Sequence, residues 1–491
     1  MKFMVGTLIS KLRLLCAACC LLSIVAQSSS KTLAHQIVSS NASLASSRVA
    51  VYQQNPKFDE LERVAREELK ATQTPGAAVA VVVGERVVFA KGFGVSNIET
   101  GAPVTTGMLF RMGSTTKMFT GAAAVALAEK GHIELDKPVG DYVKGLSPRL
   151  AQLTAHQLLS HTAGLRDEGA GDGPLEDAAL GLMARSWKDD YLFTEPGRIF
   201  SYSSPGYWLA GLLIEEAGGK PYPDEMNELL FKPLGMQRTT FRPTIAMTYP
   251  LAQGHAVSTD GQPAVVRPFV ENAAVRPGGS MFSSVDDLAR FAIAAMNGGR
   301  IDGKQVLPAT IMTTLAAPHA PQPDEPKASY GYGLVTYEDR GVRFASHAGV
   351  RKGFGSLITF APDQRVAVIV LANRSFSILG KTAEKALELV LPLKPKVEEK
   401  SKPTQAMSAA EMSMYTGVYL NSPPAWEVFI KEGKLFLKLD DSELMLTKVG
   451  EHRFAIAPPG EGELVFVLDG AGKVEYIYTD LHAARRVRAV K

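Results

Sequence analysis

The chain has 491 residues, 46% of them hydrophobic and 21% charged. Lys plus Arg number 53 against 50 Asp plus Glu, a formal net charge of +3. This balance excludes a chain disordered throughout, which would lack apolar residues to bury, and a dedicated nucleic-acid binder, which carries a strong basic patch. Three cysteines are too few for a disulfide-built scaffold and an odd number for simple pairing.

In chain order, Lys2, Lys11 and Arg13 precede an apolar run from Leu14 to Ala26. A basic flank before a short apolar core predicts a signal peptide over 1–28, with Ala26 and Ser28 as the small residues around the cleavage site. The expected location is secreted or periplasmic. The run is too short for a comfortable membrane span. The alternatives are an uncleaved anchor, the one expected route to a membrane, or an organelle-targeting peptide, since no acid precedes Asp59. Cys16, Cys19 and Cys20 all lie in this leader, and removing it cancels the +3 and leaves no cysteine.

Residues 29–56 are Ser/Ala-rich and read as a flexible segment. A domain over 57–393 follows. Phe58, Leu61, Val64, Ala65 and Leu69 recur at helical spacing. Ala77–Val83 and Arg86–Lys91 are β-rich runs around a Gly84-Glu85 turn. Helical patterns alternate with Gly/Pro loops from about 115 to 325. Gly341–Gly349, Gly353–Pro362 and Arg365–Ala372 then predict three strands, the last two joined by a tight turn. Strands at both ends with helices between them predict one sheet built from both ends of the domain. Residues 394–410 are charged and Pro-bracketed, a linker. Residues 411–491 carry seven short β-rich runs, beginning at Tyr415 and ending at Thr479, which predict a small sandwich or barrel.

The nine histidines form no His-Glu-x-x-His and no Cys/His cluster, so no metal is expected. A Gly-rich phosphate loop and the Gly-x-Ser-x-Gly elbow are also missing, and no cofactor is expected. Three other elements carry chemistry. In Ser114-Thr-Thr-Lys117, a helix would place the amine beside the hydroxyl. Serine needs a base to become a nucleophile, and lysine can be that base when burial or positive neighbours lower its pKa. Tyr202, in Ser201-Tyr-Ser-Ser204 before an apolar helix, can present a phenol to a cleft and move a proton. His347-Ala-Gly349 ends a predicted strand, where backbone N–H groups can hold an oxyanion and a histidine can line the cleft.

The ordered set Ser-x-x-Lys, Tyr-x-Ser and His-x-Gly resembles the serine β-lactamase and penicillin-recognising family, in its class C and D,D-peptidase/esterase branch. Intervening phrases match too: Gly131-His-Ile-Glu-Leu-Asp-Lys-Pro138, Gln157-Leu-Leu-Ser-His-Thr-Ala-Gly-Leu165, Pro277-Gly-Gly-Ser-Met-Phe-Ser-Ser-Val-Asp-Asp-Leu288 and Tyr330-Gly-Tyr-Gly-Leu334. The resemblance covers about 57–392 and implies a mixed α/β (α+β) fold. It comprises an antiparallel sheet flanked by helices, a helical subdomain and, after the linker, a small C-terminal all-β domain. It implies Ser114 as acylated nucleophile, Lys117 as its base and Tyr202 as general acid/base. Ser114 and Val350 would supply the oxyanion-hole amides, His347 and Gly349 would line the strand edge, and His161 would be structural. Ser204 stands where the family usually has Asn, and its single hydroxyl is shorter. His347 stands where Lys is more typical, with a charge that depends on its surroundings. Both point away from efficient penicillin hydrolysis. The expected activity is cleavage of an ester or amide in a small-molecule or peptide substrate, cell-wall fragments among them. The alternatives are a β-lactamase or a non-catalytic sensor.

Overall fold

A computed structural model describes residues 58–169, 171–397, 402–456 and 462–488. The predicted leader with its cysteines, the segment 29–56 and linker residues 398–401 lie outside the described residues.

Eight strands form one antiparallel sheet: β1 (Gly76–Val83), β2 (Arg86–Gly94), β3 (Ala320–Pro321), β4 (Ser329–Tyr330), β5 (Val335–Asp339), β6 (Val342–Arg351), β7 (Phe354–Ala361) and β8 (Val366–Ala372). Their order is β2-β1-β8-β7-β6-β5-β4-β3. The two ends of the domain meet where β1 pairs with β8, with Val79 opposite Val370. The sequence of β1, Gly-Ala-Ala-Val-Ala-Val-Val-Val, is apolar at nearly every position because helices cover both faces of the sheet. The period of two sorts the side chains. Ala78, Ala80 and Val82 enter one core together with Ile369 and Leu371. Ala77, Val79 and Val81 enter the other together with Val368 and Val370.

The second of these cores is closed by α1 (Asp59–Ala71), through Leu61, Ala65 and Leu69, and by the helix Gly380–Val390, through Ala383, Ala386 and Leu387. On α1 the buried positions fall at helical spacing, and Asp59, Glu60 and Glu62 sit in the first turn where the helix dipole favours acids. The larger core holds α2 (Thr116–Glu129), α3 (Ser204–Gly218) and α4 (Val285–Met296). In α2 every residue from Thr116 to Leu127 is buried. It is a core helix with no solvent face, so whatever stands at its start is held rigidly. We label Gly380–Val390 α5.

After α6 (Ala409–Tyr415), eight further strands close into a barrel: β9 (Gly417–Leu420), β10 (Trp426–Lys431), β11 (Lys434–Leu439), β12 (Ser442–Gly450), β13 (Arg453–Ile456), β14 (Glu463–Leu468), β15 (Val474–Thr479) and β16 (His482–Arg488). Two details depart from the sequence reading. Tyr415 ends α6, and the first strand starts at Gly417. The closing strand β16 was not expected, because His-Ala-Ala-Arg-Arg-Val-Arg has no run of β-branched or aromatic residues. Tertiary pairing overrides that weak propensity: β16 lies between β15 and β9, and Ala483 and Ala484 are fully buried. Barrel and sheet domain pack through a shared apolar cluster in which Phe200 and Tyr330 meet Tyr476, Tyr478 and Ala483.

Glu68 ties the two helices on one face together. Its carboxylate accepts from the Lys381 N–H at 3.0 Å, the Thr382 N–H at 2.7 Å and the Thr382 hydroxyl at 2.6 Å, at the start of α5. These bonds satisfy amides that the helix itself leaves unpaired. Glu68→Ala is expected to lower stability by about 2 kcal/mol, read as a lower denaturant midpoint at constant slope.

Candidate active site

Ser114 lies in a short 3-10 turn, Gly113–Thr115, that feeds directly into α2. Gly113 has φ +54°, and a Cβ there would lie 2.5 Å from the Val350 nitrogen. From the other side, a Cβ on Gly349 would lie 2.1 Å from the Met112 carbonyl oxygen. The turn and strand β6 thus touch backbone to backbone, and only glycine fits at both positions. The close neighbour that demands Gly349 is the chain's own turn, rather than an incoming ligand. Pairing with β5 ends at Ser346. Beyond it, His347–Arg351 pair only with β7, so the far edge of β6 borders the Ser114 turn with no strand on it. The backbone of the Ser114 turn therefore lies directly against Val350.

Lys117 is one helical turn on from Ser114 and fully buried. Its Nζ stands 3.3 Å from Ser114 Oγ and donates to the Gly278 carbonyl at 2.8 Å. The rings of Tyr202 and Tyr207 flank it, with centroids 4.8 and 5.5 Å from Nζ. Burial pushes its pKa down to about 7; the Asp167 carboxylate pulls it up, and the Arg351 guanidinium pushes it down. The amine is therefore available as a base near neutral pH, where an ordinary lysine is not.

Tyr202 precedes α3 on an extended segment. Burial raises its phenol well above the usual value, against a smaller opposite pull from the Ser114 hydroxyl. Near neutral pH it is a phenol that can give a proton. Its ring leans on His161, with centroids 4.3 Å apart. His161 accepts from the Ser203 N–H at Nδ1, 3.0 Å away, and burial holds its pKa well below 6.5. It is a neutral wedge behind the tyrosine.

His347 lies behind the same cluster. Its Nδ1–H donates to the Ala348 carbonyl at 2.5 Å, and its Nε2 accepts from the Tyr330 hydroxyl at 3.0 Å. Burial, then the charge of Lys117, push its pKa down to about 3. It is a buried, neutral ring that bonds Tyr330 and the strand backbone and brings no positive charge to the cleft.

The opening in front of Ser114 has a volume of about 190 Å³ and is lined by Ser114, Asp167, Ser204, Trp208, Val350 and Arg351, among others. Ser204 is one of the lining residues, and its N–H donates to Asp167 Oδ1 at 2.7 Å. Asp167 and Arg351 were not singled out from the sequence. Arg351 is two residues past Gly349, and alternation along a strand puts it on the same face, a signal that could have flagged it. Its Nη2 is buried without a hydrogen-bond partner among the described residues. Asp167 follows the Ser-His-Thr-Ala-Gly-Leu phrase, and nothing in its local sequence marks it.

The family model described as Beta-lactamase matches residues 61–390. The chain is 30% identical over 310 residues to penicillin-binding protein 4 of Amycolatopsis lactamdurans, covering 61% of this chain and 81% of that protein. It is 28% identical over 353 residues to the unguisins hydrolase of Aspergillus violaceofuscus, covering 66% of this chain but only 62% of that longer protein. Among solved structures, SurE superposes with a TM-score of 0.72 at 24% identity, over 88% of this chain and 99% of that one. The octameric penicillin-binding protein homologue of Pyrococcus abyssi gives 0.62 at 23%, over 87% and 99%. Both likenesses in fold extend past the sheet domain into the barrel. The matched segment holds Ser114, Lys117, Tyr202 and His347 alike, and the chain belongs to the beta-lactamase family.

Proposed function

We propose that this protein is a serine hydrolase that cleaves an ester or amide through an acyl-Ser114 intermediate, with esterase or D-amino-acid peptidase-like activity ahead of β-lactamase activity. The observation that carries this reading is the buried Lys117 amine, 3.3 Å from the Ser114 hydroxyl, its pKa lowered by burial to about 7 so that a substantial fraction is neutral near neutral pH. Relatives named as a penicillin-binding protein and a hydrolase support the same chemical class.

In acylation, Lys117 takes the Ser114 proton as Oγ attacks the substrate carbonyl carbon. The carbonyl π electrons move to oxygen, and the oxyanion is held by the Ser114 and Val350 amides. The C–O or C–N bond to the leaving group then breaks. Tyr202 gives its phenolic proton to the leaving group and is reprotonated from Lys117, which returns to the neutral amine. Water adds to the acyl-enzyme in deacylation by the same proton route in reverse. The neutral His347 fixes Tyr330 and the strand edge without attracting an anion. The cation at the pocket wall is Arg351, which suits an acyl donor bearing a carboxylate.

Ser114→Ala is expected to abolish labelling by a fluorophosphonate and to lower p-nitrophenyl ester hydrolysis by about 10³-fold or more. A wild-type protein that neither labels nor turns over any ester, D-alanyl anilide or nitrocefin would sink the enzyme reading.

Because protonated Lys117 is inactive as a base, kcat/KM should rise with pH through an apparent pKa near 7. A profile flat from pH 5 to 8 would remove Lys117 from that role.

Compared at a pH above the Lys117 titration, Arg351→Ala should raise KM for carboxylate-bearing substrates by about tenfold while leaving KM for neutral p-nitrophenyl esters nearly unchanged. Equal losses on both classes would contradict an anion-binding role.

A further inference from the structure

The barrel meets the sheet domain at the two segments that border the Ser114 cleft. The Leu481 carbonyl, at the turn between β15 and β16, accepts from the Tyr202 N–H at 2.8 Å. The Ser201 hydroxyl accepts from the Ala483 N–H at 3.1 Å and from Asn421 Nδ2 at 3.3 Å. Asn421 Oδ1 accepts from the Asp167 N–H at 3.2 Å. The His482 ring closes the set: its Nε2–H donates to Asp167 Oδ2 at 3.1 Å.

Two features of this hairpin exceed what docking alone needs. First, Asp480 and Leu481 both adopt positive φ, +47° and +68°. Glycine or asparagine normally fills such a two-residue turn, and leucine there is strained. The Glu432-Gly433 hairpin of the same barrel uses glycine at the matching place. The strained turn is the one whose carbonyl holds Tyr202. Second, both nitrogens of His482 face acceptors only: Nε2 the Asp167 carboxylate and Nδ1 the Asp480 carbonyl at 2.7 Å. Both can be satisfied at once only by the doubly protonated, cationic ring.

Asp167 stands between this ring and the site. Its other oxygen holds the Ser204 N–H, and its charge raises the pKa of Lys117. We infer that His482, presented by the barrel, is a positioning residue of the Ser114 site: it fixes the Asp167 and Tyr202 segments and offsets a negative charge that otherwise faces Lys117. This rests on the hydrolase reading and assigns the barrel a part in regulating that site.

The groups facing His482 are Asp167 from the sheet domain, Asp480 from its own turn, the Tyr202 ring at 6.1 Å and, farther in, the neutral His161. The two aspartates raise the pKa of His482 against its burial. Without the imidazolium, the Asp167 carboxylate acts on Lys117 uncompensated, Lys117 holds its proton to higher pH, and the acidic limb of the rate profile moves up. Without the Asp167 charge the limb moves down.

The test is the pH dependence of kcat/KM for a p-nitrophenyl ester with the full chain, its His482→Gln variant and its Asp167→Asn variant. Thermal melting checks that each is folded. Glutamine keeps a donor for Asp167, and asparagine keeps an acceptor for Ser204, so both changes act on charge. The expected result is opposite displacement of the acidic limb, upward by about half a pH unit in His482→Gln and downward by about as much in Asp167→Asn. Folded variants with the wild-type limb would overturn the proposal, whether or not their kcat falls. Displacement of both limbs in the same direction would do so too. These failures occur with an active wild type; a wild type that fails to label at Ser114 brings down the hydrolase reading itself.

Discussion

The site depends on keeping one amine out of water. Lys117 sits in a helix with no exposed face, under two tyrosine rings, with the Gly278 carbonyl as its fixed acceptor. Desolvation is the largest influence on it, disfavours its ammonium form and brings a residue normally charged at pH 7 to a pKa of about 7. The rest of the arrangement serves this constraint. The core around α2 excludes solvent, and the close backbone contact of Gly113 with Val350 seats the Ser114 turn against strand β6.

Burial gives each neighbour of that amine a fixed protonation state. The same low-dielectric surroundings that neutralise Lys117 keep Tyr202 protonated and His347 and His161 uncharged. The charges that remain, Asp167 and Arg351, stand at the pocket wall and act on Lys117 in opposite directions. Around Lys117, which titrates near neutral pH, the inner part of the site is thus a set of neutral hydrogen-bonding groups, and Asp167 and Arg351 sit toward the opening. A substrate entering past Asp167 and Arg351 would alter the field on the amine as it binds.

Much of this was legible in the sequence because it is local. Ser114 and Lys117 share a helical turn, Tyr202 precedes an apolar helix, and His347 and Gly349 end a strand, so each announces itself within ten residues. The two-sided burial of the sheet was readable in the same way from the continuous apolar runs of β1 and β8. What could not be read depends on contacts between distant segments. Asp167 gains its meaning from Ser204 and from His482, 315 residues away. The strand β16 was missed because its three arginines and two alanines carry no β signal, and only its pairing with β9 and β15 makes it a strand. The charge of His347 was open for the same reason, since burial is a property of the packed molecule.

The register of β1 against β8 has a consequence for how the molecule comes into being. Val79 meets Val370, so the central strand pair joins residues 291 positions apart. Such contacts are intrinsically slow to form, because a long loop must close before any pairing is gained. During synthesis β1, apolar on both faces, and its hairpin partner β2 emerge early and wait while the helices are made. The edge beside Ser114 exists only once β6 to β8 have joined, and the Tyr202 segment gains its clamp later still, when residues 481–483 arrive. The contacts around Ser114 and Tyr202 can therefore be complete only after residues 481–483 have been made. The exposed interval before then is when the nascent chain is most open to aggregation and to capture by chaperones.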